Sequence, residues 1–558
     1  MLLVGLTAWT GCDRSEQAGL PPTTTTSAPS PPALFADVAG EVGIDFVHDS
    51  AADGQFYMPE ITGSGAAWFD ADNDGDLDAY LIQAGQWTPG AVDAKPNRFY
   101  RNEGSTFADA TEFSGLGDPG YGMGCCVGDV DNDGDNDVYV TNVGANRLYL
   151  NDGQGRFTPQ PDTSGVSDQG WGTSCAFVDY DRDGWLDLFV VNYLRWSPAF
   201  ERPCHDFRGQ RDYCAPTTYD APARDILYHN RGDGTFDDVT ESSGLDRGFG
   251  NGLGVVPGDF NDDGWIDLYV ANDQTPNNLW LNQGDGTFID DARIAGVDVN
   301  ERGEAEASMG VDAKDIDDDG DLDLFMTHLV DETHTLYRNL GRARFEDHTY
   351  RLGIQKWSKP ATGFGTLFLD VDHDGLLDLF VANGHVRLTP GMAVQHGNAY
   401  AQADQFIRQT APGKFEDVSA SAGAVFQQAF SGRGVAFGDY DNDGDIDCLI
   451  NNNHGPAQLL RNDAPKIGHW LTVRAVTGKR DALGAVVRAL GDEQVKRRDI
   501  RAAASYCASN DPRAHFTFGS RPGATRLVVR WPDGNQEVFD VPGLNRMQTL
   551  RQGTGSPP

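Results

Sequence analysis

The phrase Asp-x-Asp/Asn-x-Asp-Gly-x-x-Asp occurs seven times in this chain, beginning at Asp70, Asp129, Asp179, Asp259, Asp315, Asp370 and Asp439. Oxygen-bearing side chains at positions 1, 3, 5 and 9 of a tight loop can converge on one point. That is the chemistry of a hard divalent cation, since Ca²⁺ takes about six to eight oxygens at roughly 2.3–2.6 Å. The candidate ligands are Asp70, Asp72, Asp74 and Asp78 in the first loop and Asp129, Asp131, Asp133 and Asp137 in the second. They are Asp179, Asp181, Asp183 and Asp187 in the third, and Asp259, Asn261, Asp263 and Asp267 in the fourth. The fifth offers Asp315, Asp317, Asp319 and Asp323, the sixth Asp370, Asp372, Asp374 and Asp378, and the seventh Asp439, Asp441, Asp443 and Asp447. Position 6 is always Gly, where an EF-hand-type loop makes its sharp turn. Position 7 varies among Asp76, Asp135, Trp185, Trp265, Asp321, Leu376 and Asp445, so its backbone carbonyl is the expected donor.

A single Asp/Asn/Gly-rich turn needs no metal. Seven in register are different, because converging carboxylates repel one another unless a cation lies between them. About seven Ca²⁺ sites are therefore expected, with Asn261 weakening the fourth. The loops must be positioned by strands. Each runs into a segment such as Val138-Tyr-Val140, Leu188-Phe-Val-Val191 or Leu268-Tyr-Val270, rich in aromatic and β-branched residues and without a helical period.

A second phrase recurs: Phe, usually Asp two residues later, and Gly eight residues after the Phe. It begins at Phe35, Phe107, Phe157, Phe236, Phe288, Phe345 and Phe415. Asn-x-Gly often precedes it as a turn signal, as in Asn282-Gln-Gly284. Loops and phrases are offset, because Phe35 precedes the first loop and no phrase follows the seventh. The segment around Phe35 is thus expected to supply the outer strand of the last repeat. That closes a seven-bladed β-propeller and leaves no open sheet edge.

The 558 residues carry a net charge of −41, which excludes a nucleic-acid binder on bulk electrostatics. Residues 463–558 differ, with 15 Lys+Arg against 9 Asp+Glu. A basic C-terminal domain docked on or tethered beside an acidic body is one reading, a basic face for an acidic polymer another, and scattered solvated charge a third. Residues 1–12 read as an export signal whose Thr10-Gly11-Cys12 is similar to a bacterial lipobox, which would make Cys12 a lipid anchor. A plain secretory signal is the alternative, and the protein is expected to be exported as a lipoprotein or to the periplasm or medium. Residues 13–34 form a Pro/Thr/Ser-rich linker. Cys204 and Cys214 share one polar insertion and are the best disulfide pair.

Together these features resemble the FG-GAP/VCBS repeat family, whose propellers include the integrin α-subunit head. The resemblance covers residues 35–462. Residues 466–552 are similar to the ASPIC/UnbV domain through Trp470-Leu-Thr-Val473, Gly484-Ala-Val-Val487, His515-Phe516 and Trp531-Pro-Asp-Gly534, and read as a small β domain before a tail at 553–558. The combination resembles the cartilage acidic protein-like (CRTAC1-like) proteins.

Two ligand regions are conceivable. The residue 13 after each loop start is polar: Gln83, Asn142, Asn192, Asn272, His328, Asn383 and Asn452. These form either a ligand collar around the channel or strand-ending residues bonded to their own turns. His48, Glu60, His328 and His385, with His396 and Tyr400 nearby, could build a second metal or substrate site. No Gly-x-Ser-x-Gly, Walker, His-Glu-x-x-His or Cys-x-x-Cys motif is present. The expected function is binding, adhesion or scaffolding toward a protein or glycan partner. A carbohydrate-active lyase or dehydratase on the propeller face is the alternative.

Overall fold

Every acidic loop joins the first and second strands of a sheet. The computed structural model describes residues 33–85, 95–104, 106–390, 398–491 and 494–558. The export segment, Cys12, the linker to residue 32 and His396 lie outside the described residues.

Seven antiparallel sheets follow in chain order. Typical is the fourth, with strands Gly252–Gly258, Asp267–Asn272, Asn278–Asn282 and Phe288–Asp290. The first two strands of each sheet are buried on both faces, which explains their apolar runs. In the seventh sheet the outer strand is Phe35–Asp37, paired with Gln458–Asn462 through Phe35↔Asn462 and Asp37↔Leu460. The offset between loops and phrases thus reports a sheet shared between the two ends of the array.

Contacts between neighbouring blades run in a circuit. In blades one to five the third strand ends in Asn, whose side-chain amide bonds two carbonyls, one in its own loop and one in the preceding blade's loop. Asn230 reaches Leu186 and Val130, Asn282 reaches Ile266 and Tyr180, and Asn339 reaches Leu322 and Phe260. Asn102 of the first blade reaches Tyr440 of the seventh at 2.9 Å. The recurrent Phe and Gly make a second seam. Gly43 holds φ +100° with its missing Cβ 2.5 Å from Phe107 O of the next blade, and Gly165 faces Phe236 O likewise. The seam between blades five and six lacks both devices, since Gln409 replaces the Asn with its Oε1 unbonded and Gly353 meets only Lys356.

The C-terminal region adds two four-stranded sheets. Trp470–Thr477 pairs with Ala514–Thr517 and Arg546–Arg551, and Val486–Leu490 pairs with Val495–Asp499 and Arg526–Arg530. Their core, including Leu471, Val487, Phe516 and Trp531, is continuous with Val130, Cys175 and Leu186 of blades two and three. The segment joining these sheets enters the ring. Ser505 bonds Val311 of blade five, Cys507 bonds Ser174 of blade three, Ala508 pairs with Ala66 of blade one, and Asn510 bonds Phe437 of blade seven. Residues Ala502 to Ser509 are all buried, so the innermost strands close around a plug of this chain. Cys204 and Cys214 form the expected disulfide, and the five other described cysteines are buried and free.

Asn230→Ala leaves two buried carbonyls without donors. We predict a loss of about 2 kcal/mol in urea unfolding, while the exposed Asn535→Ala stays near wild type. Equal stabilities would contradict the stapling role.

Candidate metal centres

Each loop folds as a cup held by its own backbone. Position 1 accepts N–H groups from positions 5 and 6, as Asp70 does from Asp74 at 3.2 Å and Gly75 at 3.0 Å. Asp129, Asp259, Asp315, Asp370 and Asp439 repeat this pair. Position 9 heads the second strand. Asp78 accepts from Ala71 at 3.0 Å on one oxygen and from Asn102 at 2.7 Å on the other, and Asp137, Asp187, Asp267, Asp323, Asp378 and Asp447 do the same in their blades. These bonds orient the carboxylates and leave lone pairs facing inward.

The cups bring the predicted ligands together. Oxygens of Asp70, Asp72 and Asp74 lie within 4.8 Å of one another, as do those of Asp129, Asp131 and Asp137, of Asp179, Asp181 and Asp187, and of Asp315, Asp317 and Asp319. Asp72, Asp372 and Asp441, all at position 3, each keep a buried Oδ1 with no protein donor, and so does Asp179 at position 1. A buried carboxylate oxygen without a donor needs a partner. The all-oxygen, carboxylate-rich set fits Ca²⁺. Position 7 side chains turn away, leaving the carbonyl. Asp135 accepts from Asn73 at 2.6 Å, Asp76 accepts from Asn442 at 2.8 Å, Asp445 pairs with Lys466, and Trp265 lies beneath Arg182.

Burial is the first cause of a general upward pKa shift, with neighbouring loop carboxylates adding to it in most cups. Asp70, Asp129, Asp179, Asp315 and Asp370 are raised to about 6, Asp187, Asp323 and Asp439 to about 7, and Asp78 and Asp137 to about 8. Without a cation, these groups resist ionisation.

Position 4 escapes the sequence reading. Asn73, Asn132, Arg182, Asp262, Asp318, His373 and Asn442 all have φ between 55° and 63°. Asn, Asp and His are the side chains that best tolerate this region, so the bias at position 4 was a readable signal, with Arg182 the exception. These residues also link the loops, as Asn132 reaches Gly184 O at 3.0 Å and Arg182 reaches Gly264 O.

The basic C-terminal region covers this end of the ring. Lys496 bonds Asp318 at 2.8 Å and Gly375 O, Arg497 bonds Gly320 O and Asp259 O, Arg480 bonds Asn132 and Gly184 O, and Arg530 pairs with Asp259. His515 meets Gly444 O at 2.8 Å. The charge asymmetry therefore corresponds to an intramolecular contact.

Within the polar collar, four amides bond close to their own strand ends. Asn142 donates to Ala145 O, Asn272 to Pro276 O, Asn383 to Ala403 O and Asn452 to Pro456 O. The proposed His/Glu cluster is not joined by any described hydrogen bond. His48 accepts from the His454 N–H, Glu60 accepts from Tyr213, His328 meets Ser308, and His385 meets Thr362. Tyr400 donates to Asp212 of the disulfide-bearing insertion at 2.7 Å.

A profile of the FG-GAP-like repeat family matches residues 70–140, 129–190, 209–270, 259–326 and 315–381, and one of the ASPIC and UnbV family matches residues 475–557. Cartilage acidic protein 1 of Xenopus tropicalis is 29% identical over 314 residues, covering 55% of this chain and 45% of that protein. Its Homo sapiens counterpart is 27% identical over 312 residues, covering 54% and 44%. The match thus spans less than half the length of these relatives. Among solved structures, the BP39L lectin from Burkholderia pseudomallei aligns with a TM-score of 0.43 and 10% identity over 73% of this chain and 98% of that one. An Agrocybe aegerita lectin described as recognising non-reducing terminal N-acetylglucosamine aligns with a TM-score of 0.35 and 14% identity, over 72% and 91%.

The raised carboxyls make a pH prediction. Their folded pKa values exceed the ordinary value of 3.8, so their contribution to stability is complete below that value and is lost as pH rises through about 6 to about 8. In chelator the melting midpoint should fall between pH 4 and pH 8. With calcium present the fall should be suppressed, because metal binding favours the deprotonated form. Calorimetry in chelator showing a midpoint that climbs across this range would contradict the assignment.

Proposed function

The chain belongs to the FG-GAP-like repeat family and carries an ASPIC and UnbV domain, and from that premise we propose that it is an exported, calcium-dependent binding module for a protein or glycan. The observation that carries the calcium reading is the set of buried loop oxygens without donors, at Asp72, Asp179, Asp372 and Asp441. Each ion would be held by positions 1, 3, 5 and 9 with the position 7 carbonyl, and would neutralise carboxylates that burial disfavours. At tenfold excess over its dissociation constant each occupied site adds about 1.4 kcal/mol. Seven such contributions, about 10 kcal/mol, would be comparable with the whole stability of a typical domain.

The loop end of the ring is occupied by the chain's own basic region, so the partner is assigned to the opposite end. There the insertion closed by Cys204–Cys214 leaves Phe200 and Phe207 65% and 56% exposed. Arg211 fixes the insertion to Gln55 O, and Asp212 fixes it to Leu388 N and Tyr400. The disulfide favours an oxidising compartment, and the curated relatives are named for cartilage. A lipid anchor at Cys12 is part of this proposal. The enzymatic alternative has less support, because His48, Glu60 and His385 each have separate partners.

Elemental analysis of the full chain, equilibrated with millimolar calcium and freed of excess, should find about seven calcium atoms under the ligand count above. Glycan-array and protein-capture signals should disappear in chelator and weaken in Phe200→Ser/Phe207→Ser. A chain free of calcium, or partner binding indifferent to chelator, would overturn the respective part.

A further inference from the structure

The seven cups share one design but have different neighbours at one strand position. The residue before the stapling Asn, or before Gln409 in blade six, is Arg101, Leu150, His229, Leu281, Arg338, Arg408 and Arg461 in blades one to seven. In blade five the Arg338 guanidinium enters the cup. It contacts Asp317, lies 3.1 Å from Asp319 and donates from Nε to Asp323 at 2.8 Å. In blade six Arg408 lies 2.6 Å from Asp372, 3.2 Å from Asp374 and 3.8 Å from Asp378. Each thus engages positions 3, 5 and 9, three of the four carboxylates assigned to the ion.

The equivalent arginines elsewhere pair outside their loops, Arg101 with Glu103 at 3.0 Å and Arg461 with Asp463 at 2.7 Å. Blades two and four carry leucine at this position, and in blade three His229 lies 3.4 Å from Asp181 and 3.2 Å from Asp187, an imidazole that can release its proton where a guanidinium cannot. Arg338 is only 15% exposed, so bulk water does little to screen its charge. A guanidinium and a divalent ion cannot share the same oxygens without strong repulsion. Blades five and six are also the pair whose seam lacks both the Asn staple and the Phe–Gly seat.

We propose that Arg338 and Arg408 are built-in counter-ions that hold loops five and six in shape without metal and make them a distinct, weaker class of calcium site. This rests on the calcium reading above. Filling either loop requires the guanidinium to leave the cup. The ring then keeps one ion-independent seam when calcium is scarce, while loops without an internal cation lose their shape.

The test is equilibrium dialysis of the full chain against stepped free ⁴⁵Ca²⁺. The wild type should fill in two steps, the last two ions entering at tenfold or more higher calcium. Arg338→Leu/Arg408→Leu, which installs the side chain native to blades two and four, should merge the steps, lower the metal-free melting midpoint and enlarge the calcium-induced rise. Arg338→Lys/Arg408→Lys keeps the charge and should keep two steps. Should the leucine pair not fold, Arg338→Gln/Arg408→Gln is read the same way. A wild-type curve reproduced by the charge-removing variants overturns the counter-ion role alone. A wild type that binds no calcium at any concentration overturns the loop reading beneath it.

Discussion

Repulsion among clustered carboxylates is the constraint on which the rest of this structure depends. Four oxygen-bearing side chains per loop, all of them acids except Asn261, are held in one cup by backbone bonds to positions 1 and 9, and burial removes the water that would screen them. Something positive must answer. In blades five and six the chain supplies Arg338 and Arg408. Around the rim the C-terminal region supplies Lys496, Arg497, Arg480 and Arg530, mostly to loop carbonyls and to acids outside the centre of the cups. What remains are the inward-facing oxygens, and a hard divalent ion is the partner whose chemistry fits them.

The loops are linked to one another. Asn at the end of the third strand bonds the preceding blade's loop in every blade but the sixth, and Asn73, Asn132, Arg182 and Asn442 at position 4 bond the next loop. A cup that loses its shape therefore disturbs two neighbours. The plug makes the C-terminal region part of the same unit, since Ser505, Cys507, Ala508 and Asn510 bond four different blades. Calcium, ring and C-terminal region are expected to gain and lose order together.

Much of this was legible in the sequence because its determinants are local. The acid spacing defines a cup within nine residues, and the missing final Phe phrase announces the shared seventh sheet. The turn role of Asn282 was also local, and its Oδ1 does accept from Gly284. Its amide donors were not legible, because one partner, Tyr180, lies in another blade. The plug was missed for a similar reason. Ala502-Ala-Ala-Ser-Tyr-Cys-Ala-Ser509 has neither strand alternation nor charge, and its run of small residues acquires meaning only where seven strands converge.

The central claim is that folded stability is coupled to ions in the loops. The direct measurement is the melting midpoint as a function of free calcium, from chelator to millimolar. Linkage makes the slope against log[Ca²⁺] a count of ions released on unfolding. The account predicts a steep rise corresponding to several ions, with the ring and the C-terminal region melting in one transition. A midpoint flat across that range would contradict it.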